Sequence, residues 1–144
     1  MFTPLFPKAI ADGHLKPSLA QLAQTNLFRE VPEAVLLEIQ SANSILELKE
    51  GQILLSPEHD NQHVFVLLSG SLSVHFGDVN MPESRLLESG ACVGEMSIID
   101  QMRPSAFVVA REDSQVFPVH SSFLQRFVNN ADPLVRNLLK ILTQ

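Results

Sequence analysis

The chain has 144 residues, 45% of them hydrophobic, with a formal net charge of −6 and one cysteine. That length fits one domain and buries about two-thirds of the unfolded surface, enough for a proper core. A single thiol excludes an intramolecular disulfide framework; no apolar run approaches the ~20 residues of a membrane span; and ten scattered Lys and Arg residues on an acidic chain argue against direct nucleic-acid binding.

Residues 1–26 read as an N-terminal helical extension. Prolines at Pro4 and Pro7 interrupt the apolar run that a signal peptide needs, which points to a cytoplasmic location. Leu19, Leu22 and Ala23 follow Pro17 at helical spacing and predict a short helix over 18–24. Pro32 is expected at a first helical position, with Val35, Leu36, Ile39 and Ala42 on one apolar face behind it.

From Ile45 to about His120 the texture changes to short runs rich in Val, Ile, Leu and Phe, separated by Gly, Pro, Asp and Asn. Strands are predicted at 45–48, 53–55, 64–68, 72–76, 85–87, 107–110 and 115–119, with turns at Gly51, Gly70, Gly77 and Gly90 and a polar loop over 78–84. Strands this close together belong to a sandwich or barrel rather than to βαβ units. The expected fold is mainly β with flanking helices, a jelly roll. Beyond Ser121 the helical period returns with Phe123, Leu124, Phe127 and Val128. Asp132 and Pro133 form an N-cap and first-turn pair, followed by Leu134, Val135, Leu138, Leu139, Ile141 and Leu142. That last helix is apolar over a wide arc. Core packing, closure over a ligand, and pairing with a second copy or another protein all fit it.

Metal and covalent chemistry find little support. His59 and His63 are four apart beside Glu58 and Asp60, but they follow Pro57 in a segment that reads as a polar turn, and His14, His75 and His120 are isolated. No Gly-X-Ser-X-Gly elbow and no glycine-rich triphosphate loop is present. Cys92 reads as a small buried hydrophobe and Asp100 as a turn residue. The expectation is a protein that is not an enzyme and holds no metal or cofactor.

The most informative segment is Gly94-Glu95-Met96-Ser97-Ile98-Ile99-Asp100-Gln101-Met102-Arg103-Pro104-Ser105-Ala106. Gly94 lets a backbone come close to a ligand, the free N–H groups opening a helical turn suit an anion, Glu95 can accept from a sugar hydroxyl, and an arginine can pair with phosphate. The segment resembles the phosphate-binding cassette of the cyclic nucleotide-binding domain family, which includes the catabolite activator protein and the regulatory subunits of cyclic AMP-dependent protein kinase. Further blocks resemble the same family in order and spacing. Leu27 to Glu33 looks like its approach to the first conserved helix, Lys49 to Leu54 its first tight turn and strand, and Val64 to Val74 its hairpin around Ser69-Gly70.

The resemblance implies a double-stranded β-helix jelly roll, with the domain and its C-terminal helices over 27–144. It implies reversible binding of a cyclic purine monophosphate, cyclic AMP before cyclic GMP, relayed through the C-terminal helices to a partner. It assigns the ligand to Val93, Gly94, Glu95, Met96, Ser97, Arg103, Ser105 and Ala106, with Arg85 also placed near the sugar and base. One departure stands out: the family's cassette closes Pro-Arg, whereas here Arg103 precedes Pro104. In a regular strand that shift turns a side chain to the opposite face; in a loop a long guanidinium stem can swing back. The alternative is a degenerate domain that has lost the nucleotide and serves interaction or dimerisation. Cupins, which share the jelly roll, carry a His-X-His strand motif that is absent here. With the chain ending at Gln144, the helix-turn-helix that follows this domain in the catabolite activator protein is not expected.

Overall fold

The computed structural model describes Thr3 and Pro4, residues 15–95 and 103–125, Asn137 and Ile141. Two sheets face each other as a jelly roll. One runs in the order β1 (Thr3–Pro4), β3 (Gln52–Leu55), β8 (Phe107–Ala110), β5 (Ser71–His75), β6 (Arg85–Glu88); the other runs β2 (Leu46–Leu48), β9 (Ser114–His120), β4 (His63–Ser69), β7 (Cys92–Val93). The described pairings are antiparallel except the short β1–β3 contact. Helices α1 (Leu19–Ala23), α2 (Glu33–Ala42) and α3 (Ser121–Gln125) flank the barrel.

β4 explains the layering. Its apolar run does not alternate because both faces are covered. Val64 and Val66 point to a cluster shared with Leu22, Phe28, Ile39 and Phe117, while Phe65 and Leu67 point into the barrel with Leu48, Leu72, Val93 and Val116. The ladder keeps this parity, pairing Val66 with Phe117 and Phe65 with Pro118. Each fully buried side chain of this kind contributes about 1.5–3 kcal/mol. Pro118 is tolerated in an interior strand because β2 pairs β9 only as far as Val116, so no ladder bond is lost on that side.

The helices begin where local chemistry dictates. Ser18 Oγ accepts from the Gln21 N–H at 3.1 Å while the Gln21 side chain accepts from the Ser18 N–H at 2.9 Å, a closed capping box. Pro32 is not the first residue of α2 as expected. With φ −58° and ψ 147° it occupies the cap position, its carbonyl accepts from Val35 and Leu36, and Glu33 opens the helix. Proline's fixed φ suits either place; the extended ψ decides between them.

Two loops are held by side chains. His75 is buried, with Nδ1 2.8 Å from the Met81 carbonyl and Nε2 2.8 Å from Ser73 Oγ, so it ties the 78–84 loop to the sheet. Asn137 is buried and donates to the carbonyls of Leu27 at 2.9 Å and Arg29 at 2.6 Å, clasping the turn in which Glu30 adopts φ 64°. Ile141 packs against the helix-side cluster. Phe127, Val128, the Asp132–Pro133 cap and most of the predicted last helix lie outside the described residues.

Candidate functional site

β7 is two residues long, too short for a periodic signal, and was not predicted. It nonetheless sets the site. By pairing Val93 with Phe65 and Cys92 with Val66, it delivers Gly94 against the start of β4. Gly94 has φ +92°, and a Cβ there would lie 2.5 Å from the His63 carbonyl oxygen and 2.8 Å from Asn61 Nδ2. No other residue type fits that backbone and that approach. Asn61 braces the turn by donating to the His63 carbonyl at 2.7 Å and accepting from the His63 N–H at 3.1 Å.

Beside this turn a cleft of about 160 Å³ opens between the two sheets. Val93, Gly94, Glu95, Ser105 and Ala106 line it, so five of the eight predicted residues meet at one place. Arg85, Pro104 and Phe76 also line it. Met96 and Ser97 lie outside the described residues. Arg103 is not part of the lining. Its Nε donates to Asp60 Oδ1 at 3.1 Å in a pair whose side chains are 60% and 83% exposed. The guanidinium that the cassette resemblance assigns to a phosphate is thus held by a carboxylate of the 57–62 turn, while Pro104 forms cleft wall.

Glu95 is the chemically distinctive group. Burial pushes its carboxyl above the usual range, opposed by its own backbone amide and by the Arg85 guanidinium. Its Oε2 is buried and has no hydrogen-bond partner. An acceptor left so costs about 1–3 kcal/mol, and a ligand that donates recovers it. Cys92 lies next to it; burial, and then the Glu95 charge, push the thiol well up, so it is an unreactive wall group rather than a nucleophile.

The sequence reading missed Phe76, Asn61 and Asp60. Phe76 was expected inside a strand; it follows the last residue of β5, 55% exposed at the cleft wall. Asn61 gave only a turn signal, since its close bonds are with His63 two positions on and its reach to the Gly94 carbonyl spans 33 positions, and Asp60 because its partner is 43 positions away. Among the described residues, no group of three or more His, Cys, Asp or Glu could hold a metal ion, and no helix is long and apolar enough to cross a membrane.

Comparison with known proteins places this geometry. A search of curated sequences finds no match. The fold is similar to the sensor domain of the transcriptional regulator DNR from Pseudomonas aeruginosa, at 18% identity over 88% of this chain and 91% of that one, with TM-score 0.73. It is similar to the regulatory subunit of a cyclic AMP-independent protein kinase A from Trypanosoma brucei, at 18% identity over 88% of this chain and 46% of that one, with TM-score 0.75. It is also similar to the catabolite activator protein of Thermus thermophilus, at 21% identity over 83% and 57% of the two chains, with TM-score 0.69. At such identities these likenesses speak for the fold alone. A family model, that of the cyclic nucleotide-binding domain, matches residues 45–131, from the residue before β2 to beyond α3. The chain belongs to the cyclic nucleotide-binding domain family.

Proposed function

We propose that this domain is a regulatory module whose cleft binds a cyclic purine monophosphate, cyclic AMP in preference to cyclic GMP, and passes the event to a partner through its C-terminal helices. The observation that carries the reading is Glu95 Oε2, a buried acceptor without a donor on the wall of an open cleft. A ribose hydroxyl supplies that donor. Ser105, an exposed residue of the lining, is positioned to donate to the phosphate; Met96 and Ser97 are assigned through the cassette resemblance. Phe76 offers an aromatic face for the base.

Arg103 completes the site by leaving Asp60. An exposed pair of that kind is worth about 0–1 kcal/mol, whereas a charge-assisted bond to phosphate inside the cleft contributes about 1.5–3 kcal/mol. The exchange is favourable provided the side chain can pass Pro104.

A second reading, a degenerate domain serving interaction or dimerisation, is favoured by the Arg103–Asp60 pair and by Pro104 in the wall. One similar fold is that of a kinase subunit described as cyclic AMP-independent. Calorimetry with cyclic AMP and cyclic GMP separates the two. Saturable binding that falls about 10- to 100-fold in Arg103→Ala, at ~1.4 kcal/mol per decade, supports the sensor. No heat and no thermal shift at millimolar nucleotide supports the degenerate domain.

A further inference from the structure

The end of the β4–β9 ladder carries a histidine pair that the binding reading does not use. His63 and His120 are directly opposed across the ladder, with ring centroids 5.0 Å apart, edge to face at 89°. His63 is tied to the ligand turn. Its backbone is braced by Asn61, and its carbonyl is the atom against which Gly94 sits. His120 is tied to the first turn of α3. Its Nδ1 lies 3.0 Å from the Ser122 backbone N–H and 2.9 Å from Ser122 Oγ, and Nε2 lies 3.3 Å from Gln62 Oε1.

These contacts fix the protonation state. A backbone N–H can only donate, so His120 Nδ1 must hold a lone pair. The ring is therefore neutral, with its proton on Nε2 facing Gln62. Functionally His120 is the N-terminal cap of α3, standing in for the usual Ser or Asp oxygen. A proton on Nδ1 sets two donors face to face, removes the cap and puts positive charge at a helix start. The same charge lies edge-on to the His63 ring.

We propose that His63 and His120 form a proton-operated latch: with both rings neutral it joins the start of α3 to the turn that carries Gly94, and protonation releases α3 from that end of the barrel. Imidazole is the side chain whose ordinary titration falls in the range where such a latch is useful. The groups facing the pair leave it dependent on its own charge. β4 supplies Phe65, 5.8 Å from the His63 ring; the preceding turn supplies Asn61 and Gln62; α3 supplies Ser121, whose N–H donates to the Gln62 carbonyl at 2.9 Å, and Ser122. The charged and titratable residues nearby in the chain are Glu58, His59 and Asp60, the last paired with Arg103, and Glu95 across the Gly94 turn. Burial, and then His120, hold His63 below the ordinary imidazole range, in line with a neutral closed state.

The test is an NMR titration of the full chain between about pH 8 and pH 5, following both imidazoles, the Ser122 amide and hydrogen exchange of the α3 amides. The latch predicts that the Ser122 amide moves with the His120 midpoint. It predicts that α3 protection, corrected for intrinsic exchange, falls on the order of tenfold per unit of displacement between the free and latched titrations. In His120→Gln the Ser122 amide loses its pH dependence and the His63 midpoint rises. In His63→Phe, which keeps a ring for the edge contact, the Ser122 amide keeps its contact with the His120 ring. The proposal is overturned if the rings titrate while Ser122 and α3 stay unchanged, or if His120→Gln leaves the His63 midpoint where it was. The wild-type titration decides the matter even where a variant folds poorly.

Discussion

Replacing Gly94 with alanine separates backbone strain from steric contact, because the protein contains its own control. Gly94 and Gly77 have nearly the same φ, +92° and +89°, but a Cβ at Gly77 meets nothing within 4 Å. The cost of a left-handed conformation for a residue with a Cβ, about 1–2 kcal/mol, applies at both positions, as does the reduced entropy of the unfolded chain, about 0.4–1 kcal/mol in the opposite sense. Only Gly94→Ala also drives a methyl into the His63 carbonyl and Asn61 Nδ2. Asn61 can swing away, at the expense of its two bonds with the His63 backbone, but the strand oxygen cannot, so the turn backbone must shift as well. At about 0.5–1.5 kcal/mol each, those bonds add roughly 1–3 kcal/mol. The expected loss is therefore about 2–4 kcal/mol for Gly94→Ala and ~1 kcal/mol for Gly77→Ala. Urea unfolding reads the difference. With a slope of about 1–3 kcal/mol/M, the Gly94→Ala midpoint should fall roughly two- to fourfold further than that of Gly77→Ala, which drops by about 0.3–1 M. Equal midpoints for the two variants would refute the close approach at the head of β4, and with it the placement of the whole cleft wall.

Glu95→Gln should weaken cyclic AMP about 10-fold or more in calorimetry. It should also flatten a stability slope. The folded carboxyl has a raised pKa, so the native state holds the extra proton and wild-type stability falls as pH rises from about 4.5 through the folded value, a trend the variant should lack. His63 acts in the opposite sense. Its folded pKa is lowered, so the unfolded chain binds the extra proton, and thermal midpoints should drop as pH falls from about 6.5 through the folded value, less so in His63→Phe. Phe76→Trp creates a sole indole in a chain without Trp or Tyr, and its emission at the cleft wall should change saturably with cyclic AMP and stay constant with inorganic phosphate. Asn137→Ala should cost about 1–3 kcal/mol in chemical denaturation, because the Leu27 and Arg29 carbonyls lose their donor.

What could be read from the chain follows the range of the interactions involved. The strands showed themselves because Val64 to Leu68 is an apolar run closed by Ser69-Gly70 and Phe107 to Ala110 is one set between Pro104 and Asp113, and the first helix because Leu19, Leu22 and Ala23 follow Pro17 at helical spacing; the capping box of Ser18 and Gln21 then holds its start. The Gly94-Glu95 cassette was legible as a local pattern, and the structure brings Gly94, Glu95, Ser105 and Ala106 to one cleft. What escaped was set by partners distant in sequence. The 58–62 segment read as a polar turn and is one, but nothing local said that Asp60 would hold Arg103, that Asn61 would reach the Gly94 carbonyl, or that His63 and His120 would face each other 57 positions apart. His75, a buried and satisfied hinge for its loop, shows how a histidine can be structural without any local signature.

The Asn137 clasp has a bearing on how the molecule comes into being. Its two acceptors emerge during synthesis 110 and 108 positions ahead of the amide that satisfies them. At about 5–20 residues per second, the nascent Leu27–Glu30 bend waits on the order of 5–20 s with those oxygens still served by water. The barrel can assemble in that interval, but the Leu27–Glu30 corner is locked only once a residue made 108 to 110 positions later has emerged.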